Sequence, residues 1–130
     1  MQVKIDTKEK FHVITINEPR LTANMTADLE NSLGAYLQNG VKNVILNLEK
    51  VGQIDLEPAE SIVKVQQSYY EQNASFVICC MQPEVEAFLD DQQLLEILGP
   101  TPTESEAWDI VQMEEIEREL LDDDEPSFNE

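Results

Sequence analysis

The residues best suited to chemistry lie in one short stretch. Asp55, Glu57 and Glu60 supply three carboxylates between positions 55 and 60. Such a group can serve acid–base chemistry or hold a hard divalent cation through oxygen. Either role needs a further set of ligands, or a nucleophile set against a base, and the sequence offers neither. Cys79 and Cys80 come next. They are adjacent, and neighbouring side chains on a strand point to opposite faces, so a disulfide between them would be strained. Together with the sole histidine, His12, they make no zinc spacing. They read as two reduced, buried thiols, and His12 as a partly covered structural residue. No Gly-rich phosphate loop is present. The sequence thus predicts no enzyme, no metal and no cofactor. Asp55 reads first as a helix cap, and Glu57 as a first-turn acid worth ~0.3–1 kcal/mol against the helix dipole.

Charge narrows the partners. The net charge is −19. From Glu104 to Glu130 there are 12 acids against one base, Arg118, while the rest of the chain has 15 acids and 7 bases. Both parts repel phosphate backbones and anionic lipid surfaces, which excludes nucleic acid and membrane surfaces as natural partners. A protein with a basic surface is the compatible choice. No apolar run approaches the ~18 residues of a transmembrane helix. The start, Met1-Gln2-Val3-Lys4-Ile5-Asp6, lacks the plan of a signal peptide, so a cytoplasmic location without membrane insertion is expected.

The elements that must position these residues follow from patterning. Val3–Ile5 alternates as a short strand, and Phe11–Ile16 is a stronger, β-branched one. His12 falls with Ile14 and Ile16, opposite Phe11 and Val13. A first helix is expected after Arg20, capped by Asn24 or Thr26, with Asp28 in its first turn and Asn39-Gly40 as its stop. Val44-Ile45-Leu46 reads as a buried strand, and Pro58 marks the start of a second helix that ends at Gln72-Asn73. Phe76–Met81 reads as a central strand covered on both faces. Pro83 opens a third helix, and the stretch from Gly99 to Pro102 permits only a short edge strand. Thr103 and Glu106 form a capping box for a last helix running to about Leu121. The alternation implies an α/β domain over residues 1–121 with right-handed parallel crossovers. Residues 122–130 read as an acidic, disordered tail.

Several of these segments resemble the STAS domain of bacterial anti-sigma factor antagonists. That family shows an apolar strand, a short loop, then Ile-Asp-Ser-Ser-Gly opening a helix. Here the run is Val44-Ile45-Leu46-Asn47-Leu48, then Ile54-Asp55. Arg20-Leu21-Thr22-Ala23 resembles the family's Arg-Leu-Asp-Ala, and Pro83-Glu84-Val85 its Pro-x-Val element. Phe88-Leu89, Ile97-Leu98 and Glu104–Trp108 fall at further family positions, so the likeness covers roughly residues 3–120. The resemblance implies a mixed sheet of four or five strands, with four or five helices mainly on one face. It also implies a serine after the aspartate that a kinase phosphorylates to block anti-sigma factor binding. Here Leu56 stands at that position, Glu57 replaces the second serine, and Pro58 the glycine. No hydroxyl lies between Asp55 and Ser61, so the switch has no acceptor there. Glu57 then has a second reading, a fixed charge in place of a modified serine.

The expectation is a non-enzymatic interaction module. Gln53, Asp55, Leu56, Glu57 and Glu60 form its partner-binding patch, with Leu56 as the apolar centre of a polar rim. The expected partner is an anti-sigma factor or kinase-like protein with a basic surface. An accessory subunit of a lipid ABC transport complex is the alternative, and dimerisation stays open.

Overall fold

The computed structural model describes the backbone of residues 1–128 and the side chains of residues 1–121. The two β-branched segments at the start form an antiparallel hairpin. β1 (Val3–Thr7) runs against β2 (Phe11–Ile16), with Ile5 opposite Ile14 and Thr7 opposite His12. A two-residue strand follows, β3 (Arg20–Leu21), then a 3-10 turn and α1 (Thr26–Gly34). β4 (Asn43–Asn47) joins β2 in parallel, and β6 (Phe76–Cys79) joins β4 in parallel. The main sheet thus has the order β1-β2-β4-β6. β5 (Gln53–Ile54) pairs only with β3, as a separate parallel ribbon. The remaining helices are α2 (Leu56–Glu71), α3 (Pro83–Asp91), α4 (Leu95–Leu98) and α5 (Glu104–Phe128).

Period-2 alternation divides the strands between two cores. Ile14, Ile16, Val44, Leu46, Phe76 and Ile78 face α1 to α4, where Leu29, Leu33, Ile62, Tyr69, Val85 and Leu89 complete the larger core. Phe11, Val13, Ile45, Val77 and Cys79 face the other way and meet Ala107 and Val111 of α5. The helices therefore lie mainly on one face, as expected, and α5 alone covers the opposite one. Trp108 extends this second core with an edge-on contact to Phe11 at 5.1 Å between ring centroids.

Asparagines at both ends of β4 hold α5 in place. Asn47 donates to Glu104 at 3.1 Å, and the other oxygen of Glu104 accepts from Trp108 Nε1, also at 3.1 Å. At the opposite end Asn43 is buried and uses all of its capacity. Its Nδ2 donates to the Lys10 carbonyl (2.9 Å) and to Glu115 (2.7 Å). Its Oδ1 accepts the Ser75 N–H (2.8 Å) and Arg118 (3.2 Å). Arg118 also bonds Glu115 at 2.9 Å and the Ser75 hydroxyl at 3.0 Å. Glu114 accepts from Ser75 and Tyr70. Burial, helped by Glu114, pushes the Tyr70 hydroxyl up to about 12. Partial burial acts to raise the Glu115 carboxyl, but bonds from Asn43 and Arg118 outweigh it and hold the group below its ordinary range.

Several expectations need correction. β6 is covered on both faces but is not central, because beyond it lies only a single bridge from Cys79 to Thr101. That bridge stands where the short edge strand was predicted. Neither Asn24 nor Thr26 caps α1: Met25 holds the cap position, and the Thr26 hydroxyl donates back to the Ala23 carbonyl at 2.7 Å. α1 ends at Gly34, and the chain tightens into a 3-10 turn, Ala35–Gln38, that brings Tyr36 against His12 and buries Leu37. Pro58 is the third residue of α2 rather than the first, because Asp55 occupies the cap position. The backbone of α5 continues to Phe128, past the expected stop near Leu121. Of the expected disordered tail 122–130, residues 129 and 130 and all the side chains lie outside the described residues.

Candidate functional site

The strand-to-helix turn around Asp55 is built by the short β3–β5 ribbon. The N–H groups of Gly52 and Gln53 converge on the Pro19 carbonyl at 2.8 and 3.2 Å, and Asp55 N–H reaches Leu21 at 2.8 Å. Leu21 and Ile54 are buried beneath the ribbon and pin it to the larger core. Asp55 then takes extended dihedrals, φ −81° and ψ 163°, and α2 begins.

Asp55 stands at the cap position but its side chain does not cap. Its carboxylate accepts the N–H of Ala23 at 3.0 Å and so ties the turn before α1 to the start of α2. The expected cap bond is absent because the carboxylate is committed across the loop. Leu56, the first residue of α2, is 41% exposed. The chain around it is anchored by Ile54, Pro58 and Ala59, all buried, which leaves Leu56 projecting. Gln53, Glu57 and Glu60 are exposed.

Two grooves flank this turn. One, of about 490 Å³, lies between the starts of α1 and α2 and is lined by Asn24, Thr26, Glu30, Glu57, Glu60 and Lys64 among others. The other, of about 260 Å³, lies against α3 and is lined by Gln53, Ile54, Asp55, Glu84 and Phe88. The five predicted residues thus divide: Gln53 and Asp55 line the groove against α3, although the Asp55 carboxylate is bonded toward Ala23; Glu57 and Glu60 line the groove against α1; and Leu56 lines neither. Sequence reasoning missed Glu30, Lys64, Glu84 and Phe88. Glu57, Glu60 and Lys64 recur at helical spacing, a signal that was readable. Glu30, Glu84 and Phe88 come from other elements and give none.

Ser61, the first hydroxyl after Asp55, is 2% exposed and donates to Glu30 at 2.9 Å. It is held inward at the wall of the groove between α1 and α2.

The other candidates have structural roles. His12 is buried; its Nε2 donates to the Val41 carbonyl at 2.9 Å, and its Nδ1 shares a hydrogen bond of 2.9 Å with the Thr7 hydroxyl. Cys79 is buried at the end of β6, and burial pushes its thiol well up, with a smaller contribution from Cys80. Cys80 is half-buried rather than buried, and it leaves the strand altogether, in the left-handed region at φ 64°. Both are free thiols. Among the described residues no group of three or more His, Cys, Asp or Glu side chains is placed to hold a metal, and no helix is long and apolar enough to cross a membrane.

A mixed sheet with helices mainly on one face thus carries the strand-to-helix turn at Asp55. The model of the STAS domain matches residues 2–107, and the chain belongs to that family. Its fold is similar to a Thermotoga maritima protein described as a candidate anti-sigma factor antagonist. That match has 20% identity and a TM-score of 0.72, and covers 85% of this chain and 94% of that one. The anti-sigma factor antagonist SpoIIAA in its unphosphorylated form is 17% identical, with a TM-score of 0.69, over 85% of this chain and 96% of that one. The murine solute carrier 26 family member A9, an anion transporter, is 15% identical with a TM-score of 0.66, over 80% of this chain and 18% of that one. A comparison with curated proteins finds no match.

Proposed function

We propose that this chain is a non-enzymatic, cytoplasmic interaction module of the anti-sigma-factor-antagonist type, one that binds its partner without a serine switch. Gln53, Asp55, Leu56, Glu57 and Glu60 form the contact. The partner is an anti-sigma factor or kinase-like protein presenting a basic surface. The observation that supports this reading most is the projection of Leu56, 41% exposed among exposed carboxylates, at the end of a turn fixed by Asp55 and Ala23. An apolar centre with a charged rim suits a protein contact, and the acidic rim selects a basic one. SpoIIAA has been described in both unphosphorylated and phosphorylated forms. Here the equivalent turn offers no hydroxyl before the buried Ser61, so binding is constitutive and Glu57 supplies a fixed charge.

The test is capture of partners from the native host, followed by affinity measurement with the purified partner. Leu56→Asn with Glu57→Lys should weaken binding by about tenfold or more, since such a contact is worth ~1.4 kcal/mol or above. The melting temperature should stay within about 3 °C, because exposed substitutions cost little. Unchanged binding by a folded variant sinks the proposal. A second reading, an accessory subunit of a lipid ABC transport complex, draws on the likeness to a domain within an anion transporter. Capture of a membrane permease in place of a soluble regulator would favour it.

A further inference from the structure

The outer face of α5 has no part in the site above. Met113, Ile116 and Leu120 are 60%, 56% and 58% exposed. They recur at i, i+3 and i+7, so they form one stripe. At 100° per residue this stripe points away from the sheet, opposite the face that carries Ala107, Val111 and Arg118. The helix beneath is held firmly. Asn47 holds Glu104 near its start, and Asn43 and Ser75 hold Glu115 and Arg118 further along. An apolar stripe on a fixed support is a preorganised contact, which lowers the ordering cost of binding.

Charge decides what can lie on it. Asp109 precedes the stripe by one turn, and Glu106, Glu117 and Glu119 flank it, all of them exposed, with Glu119 3.8 Å from the equally exposed Lys10. The one base on this stretch, Arg118, is turned inward onto Glu115, Asn43 and Ser75 and does not offset the rim. In sequence, Asp122, Asp123, Asp124 and Glu125 follow directly. A second copy of the chain would set acid against acid over most of the contact, with Lys10 beside Ile116 as an exposed base at its edge. An anionic lipid surface is repelled in the same way. We infer that this face docks a basic amphipathic helix of another protein. The helix lays leucine-like side chains at i, i+3/i+4 and i+7 onto Met113, Ile116 and Leu120, and its lysines or arginines meet the acidic rim. This surface is separate from the Asp55 turn, so one domain bridges two partners.

The probe is a synthetic helical peptide with leucines at those spacings and lysines elsewhere, and its counterpart carries glutamates in place of lysines. Binding to the full chain is read by calorimetry at low and high salt. The lysine peptide should bind, more weakly as salt rises, and the glutamate peptide should not. The triple variant Met113→Gln, Ile116→Gln, Leu120→Gln should bind about tenfold or more weakly, as expected for losing the apolar centre of a contact. Glutamine keeps helix propensity, so the fold is retained. The variant Leu56→Asn with Glu57→Lys should bind the peptide as the parent does. The inference is overturned if the triple variant binds equally well, or if the Leu56 variant loses binding instead. It is also overturned if sedimentation shows the parent to be a dimer that the triple variant dissolves, because a second copy then covers the stripe.

Discussion

Asn43 gives the sharpest measure of what fixes α5. The substitution Asn43→Leu keeps the side-chain size and removes every polar atom. Its largest effect falls on the Ser75 N–H, which is fully buried and accepted by Asn43 Oδ1 at 2.8 Å. A buried donor left without an acceptor costs about 1–3 kcal/mol. The bonds to Glu115 and Arg118 also go; both involve charged groups in half-buried surroundings, and their loss adds roughly 1 kcal/mol once solvent screening is allowed for. The sum is about 3 kcal/mol, which corresponds to roughly 10 °C in melting temperature for a domain of this size. Urea unfolding of both proteins measures it, and amide exchange at Ser75 reports the same change locally. The exposed Lys10–Glu119 pair, 3.8 Å apart, serves as contrast, since Glu119→Gln should cost under about 0.5 kcal/mol. A loss below about 1 kcal/mol for Asn43→Leu would mean that water replaces its partners freely and that the network does not hold the helix.

Two further outcomes follow from titrating groups. The Glu115 carboxyl lies below its ordinary range in the folded chain, so its contribution is present above the unfolded value and is lost as pH falls through the lowered one. The stability gap between the parent and Glu115→Gln, measured by urea unfolding, should therefore be widest near neutrality and close on acidification below about pH 4; a gap that widens in acid contradicts the assignment. For the thiols, burial raises Cys79 and shields it, so a small alkylating agent should modify Cys80 first and reach Cys79 only on unfolding, as peptide mass mapping would show.

Much of the fold is legible in local patterning, and the failures have physical causes. The Thr103 capping box is real: Glu106 N–H reaches the Thr103 hydroxyl at 3.2 Å. Pro83 opens α3, and Asn73, at φ 60°, closes α2 in the left-handed conformation. β3 and β5 were unreadable because two residues have no period. β6 read as central because coverage on both faces looks the same in sequence whether a strand has two neighbours or one and a bridge. At the candidate site the carboxylates and Leu56 were visible as a cluster, but not that Asp55 bonds Ala23 in place of its own helix. The bond between Asn43 and Arg118 is not legible in the sequence, although an asparagine opening an apolar strand is a polar group that burial obliges to find partners.

The position of β4 also bears on how the sheet comes together. Phe11 pairs with Asn43, and Val44 with Phe76. Both parallel closures therefore span about thirty residues, and because closure entropy varies only as the logarithm of loop length, they cost nearly the same. The hairpin between β1 and β2 is local by comparison and closes cheaply. Connectivity alone thus gives neither crossover an advantage. What separates them is stiffness: α2 takes up 16 residues of the second connection, whereas α1 takes up 9 of the first. β4 is the strand both closures share, so its arrival turns two independent chain segments into one cooperative sheet.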